Sequence, residues 1–240
     1  YPFMTPQLTD KYMVTIAERL TSAYARIAEA AHIAQRNSND ITLLAVSKTK
    51  PATDIMAAYD QGQRQFGESY VQEAVDKIAQ LDTFSDIVWH FIGPIQSNKS
   101  ALVAANFAWV QSVDRLKIAK RLNSQRPETM PPLNVLIQVN ISEEEAKSGC
   151  HPNEITELAQ YIDQCAHLQL RGLMAIPAKS DDANTQIQYF EQLQTCFDKL
   201  QTQYPHIDTL SMGMSNDVEA AIAAGSTMVR IGTDIFGTRT

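Results

Sequence analysis

Eight short apolar or β-branched runs, separated by segments with helical periodicity, constrain this chain more than any other feature. The runs are ITLLAVSK (41–48), RQFGES (64–69), IVWHFIG (87–93), FAWVQSV (107–113), LNVLIQVN (133–140), LQLRGLMAI (168–176), TLSMGM (209–214) and TMVRIG (227–232). Helix signals fill the intervals at Thr53 to Tyr59, Tyr70 to Ala79, Ser97 to Ala105, Asp114 to Leu122, Pro152 to Cys165, Asp181 to Gln203 and Asp217 to Ala224. A further amphipathic stretch, Lys11 to Arg36, precedes the first run. Strands that alternate with helices imply right-handed crossovers and a parallel sheet covered on both faces, so a run such as LNVLIQV has little reason to alternate. Eight units in about 200 residues fit a (β/α)8 barrel with one extra N-terminal helix. The alternative is an open, doubly wound sheet, but the spacing is even and no G-x-G-x-x-G follows the first run. No linker or composition break divides the chain, and the Pro-rich stretch Arg126 to Pro132 is short enough for an ordinary loop, so residues 1–240 read as one domain.

Composition excludes several classes. With 44% hydrophobic and 20% charged residues and only 9 Gly and 10 Pro, the chain is neither disordered nor collagen-like. A net charge of −7 without a Lys/Arg run argues against nucleic acid or an anionic membrane as partner. No apolar stretch approaches the ~20 residues of a membrane span, and a cytoplasmic monomer is expected. The three cysteines, Cys150, Cys165 and Cys196, lack C-x-x-C spacing. Cys150 beside His151 has no second ligand pair, so reduced thiols are expected rather than a metal site.

In a barrel of this kind the active face lies where the strands end. Lys48 closes the first run on the face of Thr42, Leu44 and Val46. An amine partly desolvated there, near Lys50, is a competent imine-forming nucleophile, although a lysine snorkelling into solvent is the plainer reading. Gly213 and Ser215 end the seventh run, and Gly232 and Thr233 the eighth. Glycine backbone, two hydroxyls and a following helix start can cradle a phosphate, as loops seven and eight often do in this fold. Against that stand Asp217 and Glu219 in the first helical turn, and the alternative that Ser215 or Asn216 is only a helix cap. Arg230 interrupts a buried run and needs acceptors, either a ligand or an internal carboxylate such as Glu68. His90 reads as a hydrogen-bonded core histidine, and Lys99 and Lys147 as solvated loop lysines. A lysine nucleophile across a barrel mouth from a phosphate cradle suggests an aldehyde that carries a phosphate, and pyridoxal phosphate fits.

The strings LLAVSKTKP (43–51), FGESYVQE (66–73), WHFIGPIQSNK (89–99), RGLMAIPA (171–178) and LSMGMSNDVEAAIAAGSTMVRIGTDIFGTR (210–239) resemble the pyridoxal-phosphate homeostasis protein family, in order and through nearly the whole chain. The resemblance implies a barrel like the N-terminal domain of alanine racemase. It implies pyridoxal 5'-phosphate held as an internal aldimine on Lys48, with its phosphate on Ser215, Gly232 and Thr233. It further implies that Arg230 faces the pyridine nitrogen and that Met214 and Ser69 complete the cofactor-binding set. Ser69 stands where the family pattern F-G-E-N-Y has Asn, and Asn216 where Asp is common.

Three functions compete. The first is a carrier or buffer of the cofactor, without substantial turnover, that supplies apo-enzymes dependent on it. A racemase or decarboxylase needs a second acid–base group from another domain or subunit, and only Asp234 to Thr240 follow the last run. A Schiff-base aldolase would usually carry its lysine on the sixth strand, where LQLRGLMAI has none. An Arg at the pyridine nitrogen also weakens the electron sink that enzymatic chemistry requires. The carrier is the expectation, and no catalytic residue is assigned.

Overall fold

The computed structural model describes residues 14–145 and 147–238. The first part of the expected leading helix, residues 11–13, lies outside them. Eight parallel strands close into a barrel in sequence order: β1 (Thr42–Val46), β2 (Gln65–Glu68), β3 (Val88–Phe91), β4 (Trp109–Val113), β5 (Leu133–Gln138), β6 (Leu168–Met174), β7 (Thr209–Met214) and β8 (Met228–Ile231). The last closes on the first, with Leu44 opposite Arg230. Around it lie α1 (Ile16–Ile33), α2 (Ala52–Asp60), α3 (Val71–Gln80), α4 (Ser100–Asn106), α5 (Leu116–Gln125), α6 (Ile155–Asp163), α7 (Ala183–Gln203), α8 (Val218–Ala223) and a single turn, α9 (Thr233–Phe236). This is the (β/α)8 barrel with an extra N-terminal helix that the run spacing predicts.

Local signals set the elements. The Thr15 hydroxyl accepts from Glu18 N–H at 3.1 Å to start α1, whose buried face is Leu20, Ala23, Ile27, Ala30 and Ala31, spaced three and four apart. Asp182 caps α7 through Asn184 N–H. Four strands end two residues before their runs do: β1 at Val46, so that Lys48 lies beyond it, β3 at Phe91, β5 at Gln138 and β6 at Met174. Beyond Gln138 the chain bonds partly to its own following loop, Asn140 N–H to Cys150 O and Cys150 N–H to Gln138 O, so β5 does not reach Asn140. The β6 run ends at Met174 rather than Ile176, just before Pro177, which lacks the donor a ladder needs.

Strand parity divides the interior in two. Leu43, Ala45, Phe66, Phe91, Val110, Ile137, Met212 and Val229 face the helices and form the main apolar core with them. Burying each larger side chain there contributes roughly 1.5–3 kcal/mol. The alternate positions fill the barrel, and several are polar. Gln111 on β4 meets Ser211 on β7 and Met228 on β8, contacts possible only through the middle of the barrel. Among the described residues no helix is long and apolar enough to cross a membrane, and no cluster of three His, Cys, Asp or Glu could hold a metal ion. The three cysteines are thiols, and burial pushes Cys150 up to about 12.

Candidate functional site at the barrel mouth

A cavity of about 1210 Å³ opens at the C-terminal ends of the strands. The seven residues of the cofactor-binding set that the resemblance implies all line it: Lys48, Ser69, Met214, Ser215, Arg230, Gly232 and Thr233.

Lys48 lies two residues past β1 and is half-buried. The turn that carries it closes with Lys50 N–H on Ser47 O at 3.1 Å, and Thr49 adopts a left-handed φ of 66°. Lys50 Nζ donates to Thr238 O at 2.8 Å, in the segment that follows the neighbouring β8.

The phosphate cradle, expected across the mouth from Lys48, lies instead on a neighbouring part of the rim, because β8 pairs with β1 and β7 lies next to β8. There Gly213 also has a left-handed φ, 102°, near the end of β7. Asp217, not Ser215 or Asn216, stands at the start of α8. Its Oδ1 accepts from Met214 N–H at 2.6 Å, so this carboxylate is spent on the strand-end turn. Burial raises the Asp217 carboxyl above its usual range. Glu219 is taken by Arg26 of α1 at 2.6 and 2.8 Å, and that guanidinium also donates to Ser215 O at 2.7 Å. Asp217 and Glu219 are therefore engaged elsewhere, while Asp234, beside Thr233, lines the mouth and pairs with Arg26 at 3.2 Å. Gly232 packs close to β1: a Cβ there would stand 3.1 Å from Val46 O. Gly93 has a similar duty beneath Ser69, whose carbonyl would lie 2.3 Å from an added Cβ.

Arg230 is buried and donates through Nη1 to Ser211 Oγ and through Nη2 to Ala175 O, both at 2.7 Å. Burial lowers it to about 10, so it remains a cation at neutral pH. The internal pair with Glu68 is not formed. Glu68 points to the outer side of the sheet with Phe66 and binds Lys77 of α3 at 2.6 Å. His90 is a core residue between Gln65 Oε1 (2.6 Å) and Gln111 Nε2 (3.0 Å), and burial pushes it down to about 3. Lys99 lines the mouth, whereas Lys147 turns away to Pro177 O at 3.3 Å. Sequence reasoning missed Arg115 and Lys179 in the lining and Arg26 behind it. Their runs carry no signal, because only closure of the barrel makes them neighbours. The arrangement offers lysine amines for a carbonyl, Lys48 just past β1 among them, hydroxyls and close-packed backbone for an anion, and the buried cation Arg230.

A family model described as the alanine racemase N-terminal domain matches residues 22–240. The pyridoxal phosphate homeostasis protein of Escherichia coli is 57% identical over 229 residues, covering 95% of this chain and 98% of that protein. The protein of the same name from Pasteurella multocida is 54% identical, covering 94% and 98%. Among solved structures, PipY of Synechococcus elongatus with pyridoxal phosphate bound is 36% identical, with a TM-score of 0.80 over 93% of this chain and all of that one.

Proposed function

The chain belongs to the family of the pyridoxal phosphate homeostasis proteins, built on the alanine racemase N-terminal domain, and we propose that it binds pyridoxal 5'-phosphate at the barrel mouth. Lys48 Nζ is the amine that holds the cofactor covalently. Ser215, Thr233 and the Gly232 backbone take its phosphate, Arg230 faces the ring nitrogen, and Met214 and Ser69 flank the ring. The protein works as a cytoplasmic carrier or buffer, accepting the cofactor and passing it to apo-enzymes without substantial turnover.

The observation that carries this reading is the meeting of Lys48, Arg230 and the two hydroxyl-bearing strand ends in one cavity. The donor set fits the group: an amine for its aldehyde, hydroxyls for its phosphate, with Asp217 occupied by Met214 N–H and Glu219 by Arg26. When bound, the cofactor supplies an aldehyde that exchanges between amines. Arg230 stays charged and cannot accept a proton, so it disfavours protonation of a ring nitrogen beside it and weakens the electron sink. The mouth is wide and open, which suits exchange with an incoming amine better than the exclusion of water.

A second reading, racemase-like chemistry, has Tyr70 in its favour, an exposed phenol on the lining at the start of α3. One preparation tests both. Borohydride reduction followed by peptide mapping should fix the cofactor on Lys48 and not on Lys50; an adduct on Lys50, or none, defeats the assignment. Incubation with L-amino acids in deuterated water should give slow α-proton exchange without racemised product. Turnover at about 1 per second or faster would favour the enzyme.

A further inference from the structure

Lys77 is a buried lysine on the outer side of the sheet, under the loop that carries Lys48. Its ammonium has three protons and three acceptors: Ser47 O at 2.9 Å, Glu68 Oε1 at 2.6 Å and Glu73 Oε1 at 2.7 Å. Glu73 Oε1 in turn accepts the Thr49 N–H at 2.6 Å. The peptide carbonyl just before Lys48 and the peptide amide just after it are thus held by one charge cluster. Thr49 needs such help, because a left-handed φ is costly for a β-branched residue. An apolar side chain of similar length would seal α3 against the sheet without the cost of desolvating an ammonium. What the charge adds is a hold on the loop.

We propose that Lys77 and Glu73 form a positioning brace for Lys48, fixing the left-handed turn at Thr49 so that the Lys48 amine is presented to the mouth. Glu68 anchors the brace to the end of β2. The inference rests on Lys48 being the cofactor-binding amine. Neither Lys77 nor Glu73 lines the mouth, so both act through the loop.

Glu73→Ala in the full chain tests it, since the Glu73 side chain is about one-third exposed and its loss leaves the core intact (31% exposed). Hydrogen exchange at the Thr49 amide should speed up while the melting temperature stays near the parent's. The rate at which pyridoxal phosphate becomes borohydride-fixed on Lys48 should fall about 10-fold or more, with part of the label moving to Lys50. Glu73→Gln keeps an acceptor for Thr49 N–H and should restore the rate to within about twofold. Lys77→Met, checked for folding by thermal unfolding, should reproduce Glu73→Ala. Labelling of Lys48 at the parent's rate in a folded Glu73→Ala chain overturns the brace. An unlabelled parent chain instead overturns the Lys48 assignment on which it rests, and Thr49 exchange, which needs no cofactor, still reports the brace.

Discussion

Arg230 sets the direction of every hydrogen bond behind it, because a guanidinium can only donate. Ser211 Oγ accepts from Arg230 and so donates to Gln111 Oε1; Gln111 Nε2 then donates to His90 Nδ1, and His90 Nε2 carries the proton toward Gln65 Oε1. A cation at the mouth thereby specifies a neutral histidine tautomer deep in the barrel. Parity separates Arg230 from Glu68: the carboxylate shares the outer face with Phe66, the guanidinium the inner face with Met228. The sequence leaves that pair open, and the partners Arg230 does have lie on β7 and beyond β6, where no local signal marks them. The pH consequence follows from His90, held down to about 3 by burial first and by the Arg171 charge second. The unfolded chain binds this proton near 6.5, so it takes up more protons than the fold between about 6.5 and 3, and stability falls as pH drops through that window. Glu68 has the opposite sign. Raised from 4.5 to about 7 by burial against the pull of Lys77, it removes stability as pH rises through that range. Below pH 4.5 His90 therefore acts without that opposition. Urea unfolding of His90→Gln and the parent should show the parent losing ground toward acid by as much as about 1.4 kcal/mol per pH unit. Parallel curves for the two proteins would contradict a neutral buried His90.

The ends of β7 and β8 show what an element's sequence tells and what it hides. All eight apolar runs are strands, because a parallel barrel strand is buried on both faces and its composition declares it. Glycines at 213 and 232 were equally visible, yet the reason for each is tertiary. A Cβ on Gly213 would stand 2.6 Å from Ala221 Cβ, so this glycine lets α8 seat against β7 as well as permitting φ 102°. Gly232 instead lets β8 run against Val46 of β1. The cap at Asp217, the turn α9 and the early end of β5 all depend on bonds to the strand-end turn or the following loop, which no periodicity reports. Gly213→Ala combines left-handed strain with a side-chain clash, and should destabilise the fold by about 2–4 kcal/mol. By displacing α8 it should also weaken binding of pyridoxal phosphate more than binding of pyridoxal, since the phosphate wall is what moves. Equilibrium unfolding and paired titrations with the two ligands check this. Unchanged stability would mean that the helix yields without cost.

At the scale of the whole molecule, charge is distributed against its average. The chain carries −7, and its sequence holds no basic run. The mouth nevertheless gathers Lys48, Lys50, Lys99, Arg115, Lys179 and Arg230, with Asp234 the carboxylate among the described lining residues. These cations come from the ends of β1, β3, β4, β6 and β8, so they are far apart in sequence and adjacent only after closure; composition could not have disclosed them. Two fields then compete for an approaching dianion. The body repels it over long distances, and the mouth attracts it at short range inside a cavity whose low-dielectric walls focus the potential. The Debye length shrinks from about 20 Å to about 7 Å as salt rises from about 0.02 to about 0.2 M, which screens both. The sign of the salt effect therefore reports which field the ligand feels on its way in. Steering by the mouth predicts that the association rate of pyridoxal phosphate falls several-fold over that range, while pyridoxal, lacking the phosphate, changes little. Stopped-flow absorbance with the two aldehydes measures both rates. A rate for the phosphate ester that rises with salt would show that repulsion by the acidic body governs entry, and the gathered cations would then serve only to retain the ligand once it has arrived.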